Sequence, residues 1–224
     1  FLNDRKVITI ACAGINIKDL AIGFLRSEGL IEKPEEMNTI IIDRENFRVD
    51  IKTVDRKFTG FHTDDSVVSI MSSGARRRRK EVIESPIESD LVIPAQNALT
   101  IMRELLTASS LHKKTHGAHC SALADPDGII AFRDDIGRHN TIDMLGGYAF
   151  VEKIDCRDLI MATTGRISQE IASKVFYLGI PIIISHSVPT SRAVKFSRDA
   201  GITIIGYVRE GKMKIYSHER RVIL

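Results

Sequence analysis

The sequence has few cysteines and no long hydrophobic run. Cys12, Cys120 and Cys156 are scattered over 224 residues. Such a sparse, odd set argues against a secreted disulfide framework and suits a reducing cytoplasm. No apolar run approaches the roughly 20 residues that span a bilayer, and the best candidate, Ile180–Ser185, has the length of a buried strand. No signal peptide opens the chain and no Met begins it, so we expect residues to be missing before Phe1.

The positive charge of the chain is local. The formal net charge is +3, with 43% hydrophobic and 27% charged residues, which is ordinary for a globular protein with a real core. Arg76–Lys80 is a run of five cations, and without it the net charge would be −2. The basic composition is therefore no evidence for nucleic-acid binding, and we expect neither a nucleic acid nor a membrane as partner. A solvated loop is the default interpretation of such a run.

Residues 1–90 have the pattern of a small α+β unit. Val7–Ala11 predicts a strand, and Ile17–Glu28 predicts a helix with Asn16 as N-cap and Gly29 as terminating residue. Polar residues separate two further apolar segments, which predicts a hairpin. Residues 71–80 are predicted to form a mobile loop. The two hairpin strands are predicted at Asn38–Ile42 and Phe47–Val54.

Residues 91–224 alternate between strand and helix patterns. The apolar runs are continuous, as in strands that are covered on both faces, which predicts an α/β sandwich with a largely parallel sheet. The predicted strands are Ile129–Arg133, Leu159–Ala162, Ile180–Ser185, Thr203–Val208 and Met213–Tyr216. The predicted helices are Ala95–Ser109, Asn140–Val151, Ser168–Leu178 and Ser191–Ala200.

Three polar loops follow predicted strands, where open α/β sheets bind ligands. The first, Asp134–Asn140, has carboxylates, an Arg, a His and an Asn, which suit ligand binding or acid–base work, although local pairing and helix capping explain them too. The second, Thr163–Ser168, offers backbone N–H groups to an anion, yet lacks the Gly-Lys-Ser/Thr of a Walker motif. The third is Ser185–Ser191. The candidate phosphate-site residues are Asp135, Arg138, His139, Arg166, His186 and Ser187.

Two further motifs have competing interpretations. His116–Cys120 holds two His and one Cys, but lacks the paired Cys-x-x-Cys that a zinc site needs. Cys120 is either a thiol activated by His116 or His119 or, as we favour, an inert buried thiol, and we predict no metal site. Tyr207–Lys212 is either an ordinary hairpin turn or a nucleotide site, with Tyr207 stacking on a base and cations at the phosphates. That second site comprises Tyr207, Val208, Arg209, Glu210, Gly211 and Lys212.

Together these motifs resemble the FdhD/NarQ family, the accessory sulfurtransferases of formate dehydrogenase. The resemblance covers about residues 7–216. It implies a cytidine-deaminase-like three-layer α/β/α core (residues 91–224), a smaller N-terminal α+β part (1–90) and a cytoplasmic homodimer. The motifs are Leu20–Leu25, Glu28-Gly29, Thr115–His119, Ala122-Leu123, Asp135–Asn140, Gly165–Ser168, Pro189–Ser191, Gly201–Thr203 and Gly206–Lys212.

The activity implied by the resemblance is sulfur transfer. Persulfide sulfur would pass from a cysteine desulfurase to the molybdenum cofactor, in its bis(molybdopterin guanine dinucleotide) form, before insertion into formate dehydrogenase. The cofactor is here a bound client whose guanine nucleotide and phosphates suit the predicted loops. The family's cofactor-binding stretch falls on Tyr207–Lys212.

One departure from the family pattern concerns the sulfur-carrying thiols. The family has a Cys-Gly-x-Cys-Gly loop after a pair of serines, whereas Ser72-Ser73 is followed here by Gly74-Ala75-Arg76. Either the protein lacks these thiols, or loop residues are missing from the sequence, which we expect. The catalytic cysteine is therefore unassigned. The alternative function is a cofactor-binding chaperone without sulfur transfer, and a nucleoside deaminase is disfavoured because its zinc motif is absent.

Overall fold

A computed structural model describes residues 1–54, 69–70, 83–115 and 117–224. In the N-terminal part, β2 and β3 form the predicted antiparallel hairpin, and β1 pairs in parallel with β4. The mobile loop predicted at residues 71–80 lies outside the described residues. The elements are β1 (Thr9–Ile10), α1 (Ile17–Ser27), β2 (Met37–Asp43), β3 (Arg48–Thr53) and β4 (Ser69–Ile70), with a short 3-10 helix at Pro34–Glu36.

Helix α1 forms where its apolar periodicity predicts it. Leu20, Phe24 and Leu25 are buried on one face. The helix ends at Gly29, whose φ of 71° is a left-handed conformation that glycine adopts without strain. The predicted capping by Asn16 is wrong, because Asn16 itself has a φ of 48° and its side chain makes no capping hydrogen bond.

The remaining elements build one six-stranded sheet flanked by helices, with strand order β11-β10-β9-β8-β6-β7, and a separate short pairing of β5 with β12. In chain order they are β5 (Ile93–Pro94), α2 (Ala95–Ala108), α3 (Ser110–Thr115), β6 (His119–Asp125), β7 (Gly128–Asp135), α4 (Arg138–Val151), β8 (Ile160–Thr163), α5 (Gln169–Leu178), β9 (Ile182–Ser185), α6 (Ser191–Ala200), β10 (Thr203–Arg209), β11 (Lys212–Ser217), a 3-10 helix (Glu219–Arg221) and β12 (Val222–Ile223).

The sheet is mixed, so the prediction of a largely parallel sheet is wrong. Only β8–β9 and β9–β10 are parallel, whereas β6–β7, β6–β8 and β10–β11 are antiparallel. The error arises from β6, which the sequence pattern did not predict and which forms a hairpin with β7. Because β7 and β8 both run opposite to β6, the carboxyl ends of β7, β8, β9 and β10 lie at one edge. The amino end of β6 lies at that same edge.

The predicted three-layer α/β/α core is confirmed. On one face of the sheet, Ile142 of α4, Ile171 of α5 and Phe196 of α6 share a buried cluster with Leu123 of β6. On the other face, residues of α2 such as Leu105 form a second cluster. None of the helices in the described part of the chain is both long enough and apolar enough to cross a bilayer.

Two glycines bring α1 against α4. A Cβ atom on Gly23 would lie 1.8 Å from the carbonyl oxygen of Asp143, and one on Gly147 would lie 2.0 Å from that of Asp19. Only glycine therefore permits this backbone approach. Beside it, the Arg133 guanidinium donates to one Asp19 carboxylate oxygen at 2.7 and 3.0 Å. These contacts fix the N-terminal helix beside the helix that begins at Arg138.

Candidate functional site

Backbone hydrogen bonds link the three loops at the carboxyl ends of β8, β9 and β10. The N–H of His186 donates to the carbonyl of Thr163 at 3.0 Å, and that of Tyr207 donates to the carbonyl of Ser187 at 2.8 Å. Further along, Thr190 donates to Ile167 at 2.9 Å. These bonds join two of the three predicted loops, Thr163–Ser168 and Ser185–Ser191, to each other and join the second of them to Tyr207. We name the rim as residue 119 together with residues 135–139, 164–168, 186–190 and 207–212.

Small hydroxyl groups fix the loop backbones beneath the rim. The Thr163 hydroxyl accepts hydrogen bonds from Ser121 Oγ (2.9 Å) and from the Gly165 N–H (3.2 Å). Ser121 Oγ is also 2.7 Å from the Thr141 hydroxyl in α4. Ser185 Oγ donates to the Gly165 carbonyl at 2.8 Å and accepts from the Ser187 N–H at 3.0 Å. Because these groups are buried, their pairing holds the loops in one conformation.

Asp135 is an internal anchor of the first loop. It is fully buried. One carboxylate oxygen accepts from the Ala13 N–H at 2.8 Å, and the other accepts from the Gly137 N–H at 2.9 Å and from Asn140 Nδ2 at 2.7 Å. Asn140 Nδ2 also donates to the carbonyl of Ala11 at 2.8 Å. Asp135 therefore shapes the loop, and its predicted contact with a ligand stays a prediction.

Arg138 packs against Gly165, the residue before Arg166, so two arginines predicted on separate loops lie near one another. Burial and the charge of Arg166 lower the pKa of Arg138, and Glu170 opposes this. Gly165 permits the approach, since a Cβ atom there would lie 2.8 Å from Arg138 Cβ and 3.4 Å from His119 Nδ1. Within the described residues, the buried Nε of Arg138 has no hydrogen-bond partner. Two neighbouring guanidinium groups with an unused donor suit a phosphate or pyrophosphate.

The hairpin after β10 has an unusual backbone. Glu210 and Gly211 have φ values of 53° and 71°, typical of a two-residue hairpin turn of type I′. Tyr207 has a φ of 58°, which is strained for a bulky residue. The Arg209 guanidinium lies 3.9 Å from the centre of the Tyr207 ring and so covers one face of it. A base could stack only on the other face of that ring.

The remaining predicted site residues differ in accessibility. His186 and Ser187 are half-buried on the rim, whereas Arg209 and Lys212 are exposed. His139 is buried in the first turn of α4. The Val208 side chain packs in the core cluster beside α2, so only its backbone belongs to the rim.

Two of the three thiols are buried. Cys120 is fully buried opposite Asp134, and burial and then Asp134 raise the pKa of Cys120. The interpretation of Cys120 as a thiol with a lowered pKa is therefore wrong, and that of an inert buried thiol is favoured. Burial also raises the pKa of Cys156 to about 11. Cys12 is half-buried, between the residues that Asn140 and Asp135 hold.

No group of three or more His, Cys, Asp or Glu side chains is placed to hold a metal ion in the described ranges. His116, which the sequence motif includes, lies outside those ranges.

Sequence comparison places the chain in a family. The model of the FdhD/NarQ family matches residues 1–223. The chain belongs to the FdhD/NarQ family. It is 33% identical to the sulfur carrier protein FdhD of Staphylococcus haemolyticus (strain JCSC1435) over 227 residues, covering 99% of this chain and 85% of that protein. The FdhD of Staphylococcus aureus (strain MRSA252) is 32% identical over 228 residues, with the same coverage.

A solved structure shows the same fold. The crystal structure of a formate dehydrogenase accessory protein from Desulfotalea psychrophila superposes with a TM-score of 0.78 at 23% identity, covering 99% of this chain and 86% of that one. The sequence motifs that resemble the FdhD/NarQ family therefore stand on a fold that this chain shares with the solved structure.

The sequence reasoning missed the place of His119 on the rim. His119 is the first residue of β6, and its Nδ1 lies beside Gly165. A rule that searches the carboxyl ends of strands cannot find the amino end of an antiparallel strand. The sequence signal that could have located His119 was the Gly117–His119 segment, which directly precedes a run of small apolar residues.

Proposed function

We propose that this protein is an accessory sulfurtransferase for formate dehydrogenase. It takes sulfur from a cysteine desulfurase and passes it to the bis(molybdopterin guanine dinucleotide) molybdenum cofactor before insertion of the cofactor. Membership of the FdhD/NarQ family and relatives named as sulfur carriers support the proposal. In this proposal the protein works in the cytoplasm as a homodimer, as the family resemblance implies.

The observation that supports cofactor binding best is the approach of Arg138 to the Gly165-Arg166 loop on the hydrogen-bonded rim. A dinucleotide cofactor has pyrophosphate groups, and guanidinium forks bind phosphate oxygens in a bidentate manner. A bound phosphate would relieve the repulsion between the two arginines. A bound anion would thus supply negative charge beside the two guanidinium groups.

The hairpin at the end of β10 would hold the nucleotide end of the cofactor. The face of the Tyr207 ring that Arg209 does not cover would suit a guanine base, and Arg209 and Lys212 would suit phosphates. Glu210 and Gly211 form the turn that separates these two cations. His139, His186 and Ser187 would line the part of the rim that binds the phosphates. Asp135 would fix the conformation of the first loop through its hydrogen bonds.

Sulfur carriage also requires a reachable thiolate. Cys120 and Cys156 are buried with raised pKa values. The family's cysteine loop corresponds to residues 72–76, which lie outside the described ranges. The catalytic thiol therefore stays unassigned. The same burial favours the second candidate, a chaperone that binds the cofactor without transferring sulfur.

Mass spectrometry separates the two candidates. The protein is incubated with a cysteine desulfurase and cysteine, and its intact mass is measured. Transfer of one sulfur atom from the desulfurase persulfide to a thiolate adds about 32 Da and releases the desulfurase thiolate. Peptide mapping with Cys12→Ser and Cys120→Ala variants locates the adduct. A protein that binds the cofactor but never gains this mass supports the chaperone instead.

Nucleotide binding tests the rim separately. Replacing both Arg209 and Lys212 by Ala should weaken guanosine diphosphate binding about 100-fold or more if both contact phosphate, because each charge-assisted hydrogen bond contributes about 1.5–3 kcal/mol. The matched control replaces two exposed cations on other elements, Arg44 and Lys153, and should leave the affinity unchanged. Calorimetry measures both. Equal affinity of the rim variant and the wild type would remove this hairpin from the site.

A further inference from the structure

We infer that His119 is a phosphate-binding residue of the rim, which in its protonated form binds the same anion as Arg138 and Arg166. This inference rests on the proposed function and extends it, because none of the loops after the parallel strands contains His119. The observation behind it is a close approach: a Cβ atom at Gly165 would lie 3.4 Å from His119 Nδ1 and 2.8 Å from Arg138 Cβ. A methyl group at position 165 would thus meet both the imidazole and the Arg138 side chain.

The direction of the His119 side chain follows from strand alternation. Ser121, two residues along β6, bonds to Thr141 of α4, so His119 faces the same side of the sheet, toward the start of α4. Cys120 lies on the opposite face, in the cluster beside α2. His119 is half-buried and is paired across the ladder with Asp135. It therefore lies at the rim and not in the α2-side core.

The charges around His119 predict proton uptake on anion binding. Arg138 of α4, which approaches the same glycine as His119, disfavours a further positive charge there, while Arg166 and Glu170 act on Arg138 with opposite signs. Asp135 of β7 faces His119 but already accepts three hydrogen bonds.

A bound phosphate reverses this balance, because an anion favours the protonated imidazole. Binding should then draw a proton from solvent. Affinity should therefore rise as pH falls toward the ordinary histidine range near pH 6.5.

The test is calorimetry with guanosine diphosphate at pH 7.0 and 8.5, a range in which carboxylates and guanidinium groups do not ordinarily titrate. The wild type should bind about threefold more tightly at pH 7.0, the change expected if the anion favours imidazole protonation about tenfold. Titrations in two buffers of different ionisation enthalpy measure the accompanying proton uptake. His119→Gln should weaken binding at pH 7.0, and should lose both the pH ratio and the proton uptake.

Two further variants keep the test decisive. His119→Lys retains a positive charge at both pH values, so it should bind equally well at pH 7.0 and 8.5. His186→Gln, on the neighbouring loop, should keep the wild-type pH ratio whatever its absolute affinity. Thermal unfolding checks that each variant is folded, and His119→Lys replaces His119→Gln in the comparison if the latter unfolds.

The outcomes separate this inference from the proposed function. If the wild type binds the nucleotide and His119→Gln keeps the full pH ratio, the inference is overturned and the proposed site stands. If Lys at position 119 also shows the wild-type ratio, the titrating group lies elsewhere and the inference is again overturned. If the wild type does not bind the nucleotide at either pH, both the proposed site and this inference fail.

Discussion

The rim differs from the buried polar residues beneath it and between α4 and α5, here called the scaffold, in whether polar groups have partners of opposite character. Beneath the rim, Asp135 accepts three hydrogen bonds, and Thr163 bonds to Ser121 within a buried hydroxyl network. On the rim, Arg138 and Arg166 repel one another. Buried polar groups cost stability unless they are paired, so the scaffold pairs them. The rim brings two guanidinium groups of like charge together, with Glu170 opposing their mutual effect on Arg138, and this arrangement favours an anionic ligand.

The largest expected effect is in the scaffold, at the ion pair between Lys174 of α5 and Asp143 of α4. Both side chains are at most 3% exposed. Lys174→Met leaves the Asp143 carboxylate buried without its cation. We expect a loss of about 3–5 kcal/mol in the free energy of unfolding, measured by urea denaturation.

The matched control for this pair is the double variant Lys174→Met/Asp143→Leu. It removes both charges and should recover most of the lost stability, because paired burial of charge costs desolvation on both sides. If the single variant were as stable as the wild type, the scaffold would tolerate an unpaired buried charge and the contrast with the rim would break down.

Asn140→Ala should cost about 2–3 kcal/mol of stability. It removes one of the three hydrogen bonds to the buried Asp135 carboxylate and one to the Ala11 carbonyl, and a hydrogen bond to a charged group contributes about 1.5–3 kcal/mol. An exposed Asn–Asp pair offers the control, since Asn46 donates to Asp43 at 2.8 Å on the surface. Asn46→Ala should change stability by less than about 0.5 kcal/mol. Equal losses in both variants would contradict the buried-anchor interpretation of Asn140.

Thiol alkylation extends the comparison to the cysteines. With a pKa of about 11, Cys156 is about 200-fold less ionised at pH 8 than an ordinary thiol with a pKa of about 8.5. Iodoacetamide should therefore modify half-buried Cys12 before Cys156 and fully buried Cys120. Peptide mapping over time measures the three rates. Modification of Cys120 before Cys12 would show that the scaffold opens easily.

The raised pKa of Cys156 also fixes the sign of a pH effect on stability. The thiol is neutral in both states below its ordinary pKa of about 8.5, so its contribution is fully present there. As pH rises from about 8.5 to about 11, the unfolded chain loses a proton that the folded chain keeps. Stability should therefore fall over that window, and a Cys156→Ala variant should show a smaller fall.

Helices with local signals were predictable from sequence. The helix predicted at Ser168–Leu178 is observed at Gln169–Leu178, where Ser168 Oγ accepts from the Ile171 N–H and Gly179 ends the helix with a φ of 78°. Helix α6 has the same design, with Thr190 as cap and Gly201 as terminator. Such ends are set by residues within one turn of the chain, so one sequence suffices to find them.

Strand β6 and the contact between the two arginines were not predictable in the same way. The β6 sequence is rich in Ala and Ser and poor in the β-branched residues that favour strands. It is a strand because β7 and β8 pair with it on either side. Without β6, the sequence indicates neither the mixed sheet nor the place of His119. The approach of Arg138 to Arg166 likewise depends on loops that are 28 positions apart in sequence.

The smallest expected effect on stability is on the rim, at Arg166. Its side chain is exposed, and its charge acts against that of Arg138. Arg166→Ala should therefore change the free energy of unfolding by less than about 0.5 kcal/mol, and in the direction of greater stability at low ionic strength. The same variant should weaken guanosine diphosphate binding by about tenfold, because it removes a charge-assisted phosphate partner. Urea denaturation at two salt concentrations and calorimetry measure the two effects. A loss of more than about 1 kcal/mol of stability would show that Arg166 belongs to the scaffold and not to a ligand site.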